Sequence, residues 1–146
     1  MPRVKAFDHV GITVDDLDAG AAFFASLGME VKGRQFLEGE FLDTVVGIPD
    51  ARTEILMMGL PDGGTTIELA TFLRPPNQPR ERVHMSNDVG VGNLAFEVDD
   101  VDALVEQLAA EGYPLIGGIG EYEGQWRMCS VRGPGGTIVS LAQRLA

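Results

Sequence analysis

Cysteine is nearly missing from this chain: Cys129 is the only one in 146 residues. A single thiol excludes an intrachain disulfide and any zinc or iron–sulfur centre built from several cysteines. Histidine is almost as scarce, so imidazole chemistry can start only from His9 or His84. Basic side chains are also few. Eleven lysines and arginines face 22 aspartates and glutamates, for a net charge of −11. Phosphate backbones and anionic lipids repel such a chain, which argues against nucleic-acid and membrane partners. No apolar run approaches the roughly 20 residues of a membrane-spanning helix. No apolar stretch follows Met1-Pro2-Arg3-Val4-Lys5, so no secretory signal is expected and a cytoplasmic location is the default. Small molecules and protein partners are the classes left open.

What the chain does have is one phrase stated twice. His9-Val10-Gly11-Ile12-Thr13-Val14-Asp15-Asp16-Leu17-Asp18 returns 84 residues later as Asn93-Leu94-Ala95-Phe96-Glu97-Val98-Asp99-Asp100-Val101-Asp102. Each copy alternates apolar residues over six positions, the mark of a half-buried strand. Each then places Asp-Asp before a helical pattern, where a carboxylate can accept the free amides of the first turn. Leu17, Ala21, Phe24 and Leu27 give the first helix an apolar stripe, and Val101, Leu104, Val105 and Leu108 do so for the second. Gly28 and Gly112 stand where the helices stop.

The remainder of each half predicts three more strands. In the first they fall near 29–36, 52–60 and 65–72, with a Pro61-Asp62-Gly63-Gly64 turn before the last. In the second they fall near 114–123, 126–131 and 137–142, with Gly133-Pro134-Gly135-Gly136 in the matching place. Residues 38–48 read as a loop carrying one helical turn. The proline-rich, mixed-charge stretch after Arg74 reads as a linker. The expected organisation is a first βαβββ module at 1–74, a linker at 75–89 and a second module at 90–146, together one structural domain of class α+β. A repeat on this scale is a strong fold signal.

His9-Val10-Gly11-Ile12-Thr13-Val14-Asp15-Asp16, Ile67-Glu68-Leu69, Asn93-Leu94-Ala95-Phe96-Glu97-Val98-Asp99-Asp100 and Gly135-Gly136-Thr137-Ile138-Val139-Ser140-Leu141 resemble the vicinal oxygen chelate superfamily. This group includes glyoxalase I, bleomycin-resistance proteins and extradiol dioxygenases. The resemblance implies paired βαβββ modules forming a curved mixed sheet around a cleft, commonly in a homodimer. It also implies that the first and last strands of a module each supply one ligand to a divalent metal (Zn, Ni, Mn or Fe). His9 and Glu68 occupy those places in the first half. Asn93 and Ser140 occupy them in the second, where an imidazole and a carboxylate would be expected.

The function this resemblance implies is a glyoxalase-type lyase or isomerase on a small oxygenated substrate. In that scheme His9 and Glu68 are the metal ligands, and Glu68, His9 and Glu97 are the candidates for proton transfer. Asn93, Ser140, Tyr122, Trp126 and Arg127 are candidates for substrate contact, the aromatics by stacking and the arginine by gripping a carboxylate. His84, Glu121 and Glu123 are further possible donors. The loss of two ligand places keeps a second reading open, a non-catalytic binding protein of the bleomycin-resistance type, and an extradiol-type dioxygenase is a third. Cys129 has no base beside it and reads as a small core residue.

Overall fold

Each copy of the repeated phrase becomes a strand and a capped helix. A computed structural model describes residues 1–146. The elements are β1 (His9–Thr13), α1 (Leu17–Ser26), β2 (Glu30–Glu38), α2 (Glu40–Val46), β3 (Arg52–Gly59), β4 (Thr66–Arg74), β5 (Leu94–Val98), α3 (Val101–Ala110), β6 (Leu115–Tyr122), β7 (Trp126–Arg132) and β8 (Ile138–Arg144). They form two compact units, Met1–Pro79 and Arg80–Ala146. Each unit has its own four-stranded mixed sheet, ordered β1-β4-β3-β2 in the first and β5-β8-β7-β6 in the second. The first and last strands of each unit pair in parallel, and all other neighbours are antiparallel. The chain is therefore α+β, with the strand–helix–strand–strand–strand order repeated.

The caps work as the sequence suggests. Asp16 accepts the Ala19 amide and Asp100 accepts the Ala103 amide, each at 3.0 Å. The apolar stripe of α1 lies elsewhere than expected: Leu17, Gly20, Phe23 and Phe24 are buried, rather than Ala21 and Leu27. The cause is Gly20. A Cβ there would lie 3.1 Å from Leu69 Cδ1, so the helix comes close to β4 along its glycine side. That rotation drives Phe23 inward, edge-on against Phe24 with ring centres 5.1 Å apart.

Residues 38–48 hold more helix than the single turn expected, since α2 runs for seven residues with only Leu42 buried. Its anchor is polar: Asp43 accepts the backbone amides of Asp50 and Ala51, both at 2.9 Å. The expected linker also begins with a structural residue. Asn77 accepts the Phe72 amide at 2.8 Å and donates to Val14 O, Asp15 and Thr71. This ties the end of β4 to the β1–α1 corner. In the second unit Gln143 does the equivalent work, accepting the Val101 amide at the start of α3 at 2.9 Å.

Candidate functional site

Residues two apart on a strand share a face, and so do residues directly opposite on paired strands. In the first unit that rule gathers a row across four strands: Gly11 lies opposite Glu68, Glu68 opposite Met57, and Met57 opposite Gly33. This is the face away from the buried Ile12, Ile67, Leu69 and Leu56. Nothing lies within 4 Å of where a Cβ would stand on Gly11 or Gly33, so there is room on both sides of Glu68 and Met57. A depression of about 250 Å³ lies against Gly33, Gln35, Ile55 and Met57.

His9 stands at the end of β1 beside this row. Its Nε2 is 3.6 Å from Glu68 Oε2. Its Nδ1 is 2.7 Å from Asp8 Oδ2. The hydrogen bond to Asp8 holds the His9 pKa above the usual imidazole value; burial opposes it, and the nearby Glu68 charge adds a smaller upward push. A carboxylate can only accept, so Nδ1 carries the proton and donates to Asp8. In the neutral ring Nε2 is then a lone pair facing another carboxylate. Two electron-pair donors aimed at one place are satisfied by a hydrogen-bond donor or a cation between them: an O–H group, a proton on Nε2 or a metal ion.

The geometry permits a metal. Two donors each 2.0–2.2 Å from a tetrahedral ion lie roughly 3.4 Å apart, close to the 3.6 Å observed. An outer carboxylate on the second ring nitrogen is the usual support for a ligating histidine. His9 and Glu68 therefore suit two places on a divalent ion. The structure gathers no set of three or more His, Cys, Asp or Glu side chains in ligating positions.

The second unit has a different row. Ala95 lies opposite Ser140, Ser140 opposite Ser130, and Ser130 opposite Ile116. Asn93 Nδ2 donates to Ser140 Oγ at 2.7 Å, and Ser140 shares a hydrogen bond with Ser130 Oγ at 2.9 Å. Asn93 and Ser140 are thus brought together, as a neutral pair with Ser130 added. Glu97 is on this face but exposed, 3.8 Å from Arg144. Trp126 shares the face, and its ring is covered by the Arg144 guanidinium at 4.3 Å. Tyr122 is exposed opposite Trp126.

Arg127 points to the other face. It grips Asp102 of α3 with two nitrogens, at 2.9 and 2.7 Å, and reaches Glu121 at 3.2 Å. The hydrogen bonds from Arg127 hold the Asp102 pKa below the usual carboxylate range. Arg127 and Glu121 thereby anchor α3 to its sheet, as Arg34 does in the first unit by bridging Asp18 and Glu54 at 2.7 Å each. Arg52 lies over Phe36. His84, a further donor candidate, is largely covered: its Nε2 lies 3.2 Å from Gly92 O and its Nδ1 3.7 Å from Asp88. Glu123 sits in the β6–β7 turn with φ 48°. Cys129 is buried, which pushes its thiol pKa up.

Asp8 and Ser130 escape a reading of the sequence alone. A signal for Ser130 exists: counting outward from Gly135 in the β7–β8 turn puts Ser130 and Ser140 at equal distances and hence opposite each other. For Asp8 the only signal is its adjacency to His9.

The chain matches the family model described as Glyoxalase/Bleomycin resistance protein/Dioxygenase superfamily over residues 6–141. It is 30% identical over 121 residues to a 2-epi-5-epi-valiolone epimerase from an Actinomyces species, a match covering 80% of this chain and 65% of that protein. The chain thus spans just under two thirds of that curated relative. Among solved structures it resembles a glyoxalase family protein from Bacillus cereus, with TM-score 0.94, 36% identity, and coverage of 99% of this chain and 97% of the other. It shares its fold with the trypanothione-dependent glyoxalase I of Leishmania major at TM-score 0.68 and 22% identity, over 96% of this chain and 87% of that one.

Proposed function

The chain belongs to the glyoxalase/bleomycin resistance protein/dioxygenase superfamily, and from that premise we propose that its first unit carries an isomerase-type site that moves a proton beside a carbonyl of a small oxygenated substrate. The observation that carries this reading is His9 Nε2 and Glu68 Oε2 facing one another at 3.6 Å with Nδ1 held by Asp8. The similarity to the 2-epi-5-epi-valiolone epimerase of the Actinomyces species supports the same reaction class.

Glu68 stands beside open space over Gly11 and takes the proton from the carbon next to the carbonyl, then returns it. His9 in its protonated form, favoured by Asp8, donates from Nε2 to the carbonyl oxygen as negative charge builds there. His9 and Glu68 are also the residues that would hold a divalent ion, which would supply the stabilisation of the carbonyl oxygen as a Lewis acid in place of the His9 proton. The homodimer expected from the resemblance is part of this proposal; exposed Phe41 and Val45 on α2 favour it. Gel filtration tests it, and a monomer at every concentration counts against it.

The catalytic reading is tested by incubating the protein with α-hydroxyketones in heavy water, with and without added Zn, Ni, Mn or Fe. Proton exchange at the carbon is followed by NMR. Glu68→Gln and His9→Ala should each lower the exchange rate by about 100-fold or more. Exchange that is absent from the whole panel, or equal in Glu68→Gln, sinks the scheme. The neutral, internally bonded Asn93–Ser140–Ser130 row favours a second reading, ligand binding without turnover. In that case calorimetry detects binding that survives both substitutions.

A further inference from the structure

A glycine inside a strand weakens it, because it loses more backbone freedom on folding and has no side chain to pack. Gly33, inside β2, is there for neither of the usual reasons. Its φ lies outside the left-handed region, although the β2–β3 register shifts just before it. No neighbour crowds it either, since nothing stands within 4 Å of the place of a Cβ. What its missing side chain does leave is the depression of about 250 Å³ against Gln35, Ile55 and Met57.

The walls of the depression select an occupant. Ile55 and Met57 face it from β3, and Ile55 is 7% exposed, so the surface there is apolar. The cations beside Gly33 are committed elsewhere. Arg34 turns its guanidinium to Glu54 and Asp18 on the helix side. Lys32 bonds Glu30 at 2.9 Å, and its stem lies along Gly59. A negatively charged group would therefore find no partner and would face the Glu68 carboxylate. Gln35 brings one neutral amide to the rim. The volume falls just below the roughly 300–1,000 Å³ of a site for a whole drug-sized ligand, so it suits part of a molecule, about one six-membered ring. Its position fits a substituent. Strands lie about 4.8 Å apart, which puts Met57 and Gly33 roughly 5 and 10 Å along the row from Glu68.

We propose that the depression at Gly33 is the subsite for an uncharged, ring-sized apolar substituent of the substrate, and that Gly33 determines specificity by leaving it room. The proposal rests on the reading that Glu68 acts beside the carbonyl of a small oxygenated molecule. It names the other end of that molecule, a ring one or two bonds from the reacting carbon.

The test is amide-resolved NMR titration of the full chain with 1-phenylethane-1,2-diol, propane-1,2-diol and 4-(1,2-dihydroxyethyl)benzoate. The phenyl diol should shift the signals of Gly33, Gln35 and Met57. It should bind about tenfold or more tighter than propane-1,2-diol, through partial burial of its ring. The benzoate should bind more weakly than the phenyl diol. Gly33→Ala and Gly33→Val should reduce the preference for the ring stepwise, valine to within about twofold of parity. Valine suits a strand better than glycine, so the change removes space without removing a strand former. Should either variant fail to fold, the mapping and the two affinity ratios on the parent protein decide alone. Absence of shifts at Gly33, Gln35 and Met57, equal affinity for the two neutral diols, an undiminished preference in folded Gly33→Val, or tighter binding of the benzoate overturns the proposal. The diols have no carbonyl, so their binding is independent of proton transfer. Ring preference without exchange activity defeats the catalytic reading alone, and exchange without ring preference defeats this proposal alone.

Discussion

Replacing Gly20 by alanine sets two effects of comparable size against each other. Gly20 is in α1 on the side facing β4, and alanine in a helix interior is favoured over glycine by about 0.5–1 kcal/mol. The new Cβ would lie 3.1 Å from Leu69 Cδ1, with Val14 Cγ2 at an ordinary 3.7 Å. Leu69 is fully buried, so its side chain has nowhere to retreat. Overpacking of that kind costs about 1–3 kcal/mol, so the overpacking term wins and Gly20→Ala should lose roughly 1 kcal/mol. The decisive experiment repeats the change in a Leu69→Val background, where both Cδ atoms are gone. There only the helix gain is left, and Gly20→Ala should stabilise by about 0.5–1 kcal/mol. The coupling between the two sites is then about 2 kcal/mol, well beyond the additivity expected of independent sites. Urea unfolding of the four proteins measures it through the midpoint at constant m. A Gly20→Ala protein more stable than its parent, or a change of equal size in both backgrounds, refutes the packing argument.

Thr53 is 3% exposed and its Oγ1 has no hydrogen-bond partner, so Thr53→Val should hold or raise stability by about 1 kcal/mol in thermal melts; a loss of that size would contradict it. Asp16→Ala and Asp100→Ala should each cost about 1 kcal/mol in urea unfolding, because each removes the acceptor of a first-turn amide. Asp16→Asn, which keeps an acceptor, should cost much less. His9 should titrate by NMR above the ordinary 6.5, and Asp8→Asn should move its midpoint down, since the Asp8 hydrogen bond is the largest cause of the shift. The sign follows: stability from this pair is complete below the unfolded pKa and is lost as pH rises through the higher folded one. A His9 midpoint at or below 6.5 would show that the Asp8 contact does not form.

The repeat made the strands, the caps and the place of His9 and Glu68 legible, because alternation, capping and turn chemistry are local properties of the chain. What escaped was set by contacts between distant residues. A hydrophobicity pattern gives Gly20 no weight, yet its missing side chain decides which way α1 turns. Asn77 lies among prolines that read as linker, yet it binds Val14 and Asp15, more than sixty residues earlier. Arg127 looked like a free cation until the strand register put it on the helix side with Asp102. The helix α2 buries one of its four large apolar residues, so its pattern resembled a loop's.

The parallel pairing of β1 with β4 has a consequence for how the protein matures. His9 and Glu68 become neighbours only when the two ends of the first unit close on each other, with Thr66 beside His9 in the register. The β2–β3 and β3–β4 hairpins join segments much nearer in sequence, so their loop-closure cost is smaller and they can form earlier. A growing chain can therefore form its helices and antiparallel strand pairs before His9 and Glu68 come together. Incompletely folded chains would expose apolar strands without bringing His9 and Glu68 together, and return of the His9 NMR signal to its folded position after dilution from urea would report the closing of β1 on β4.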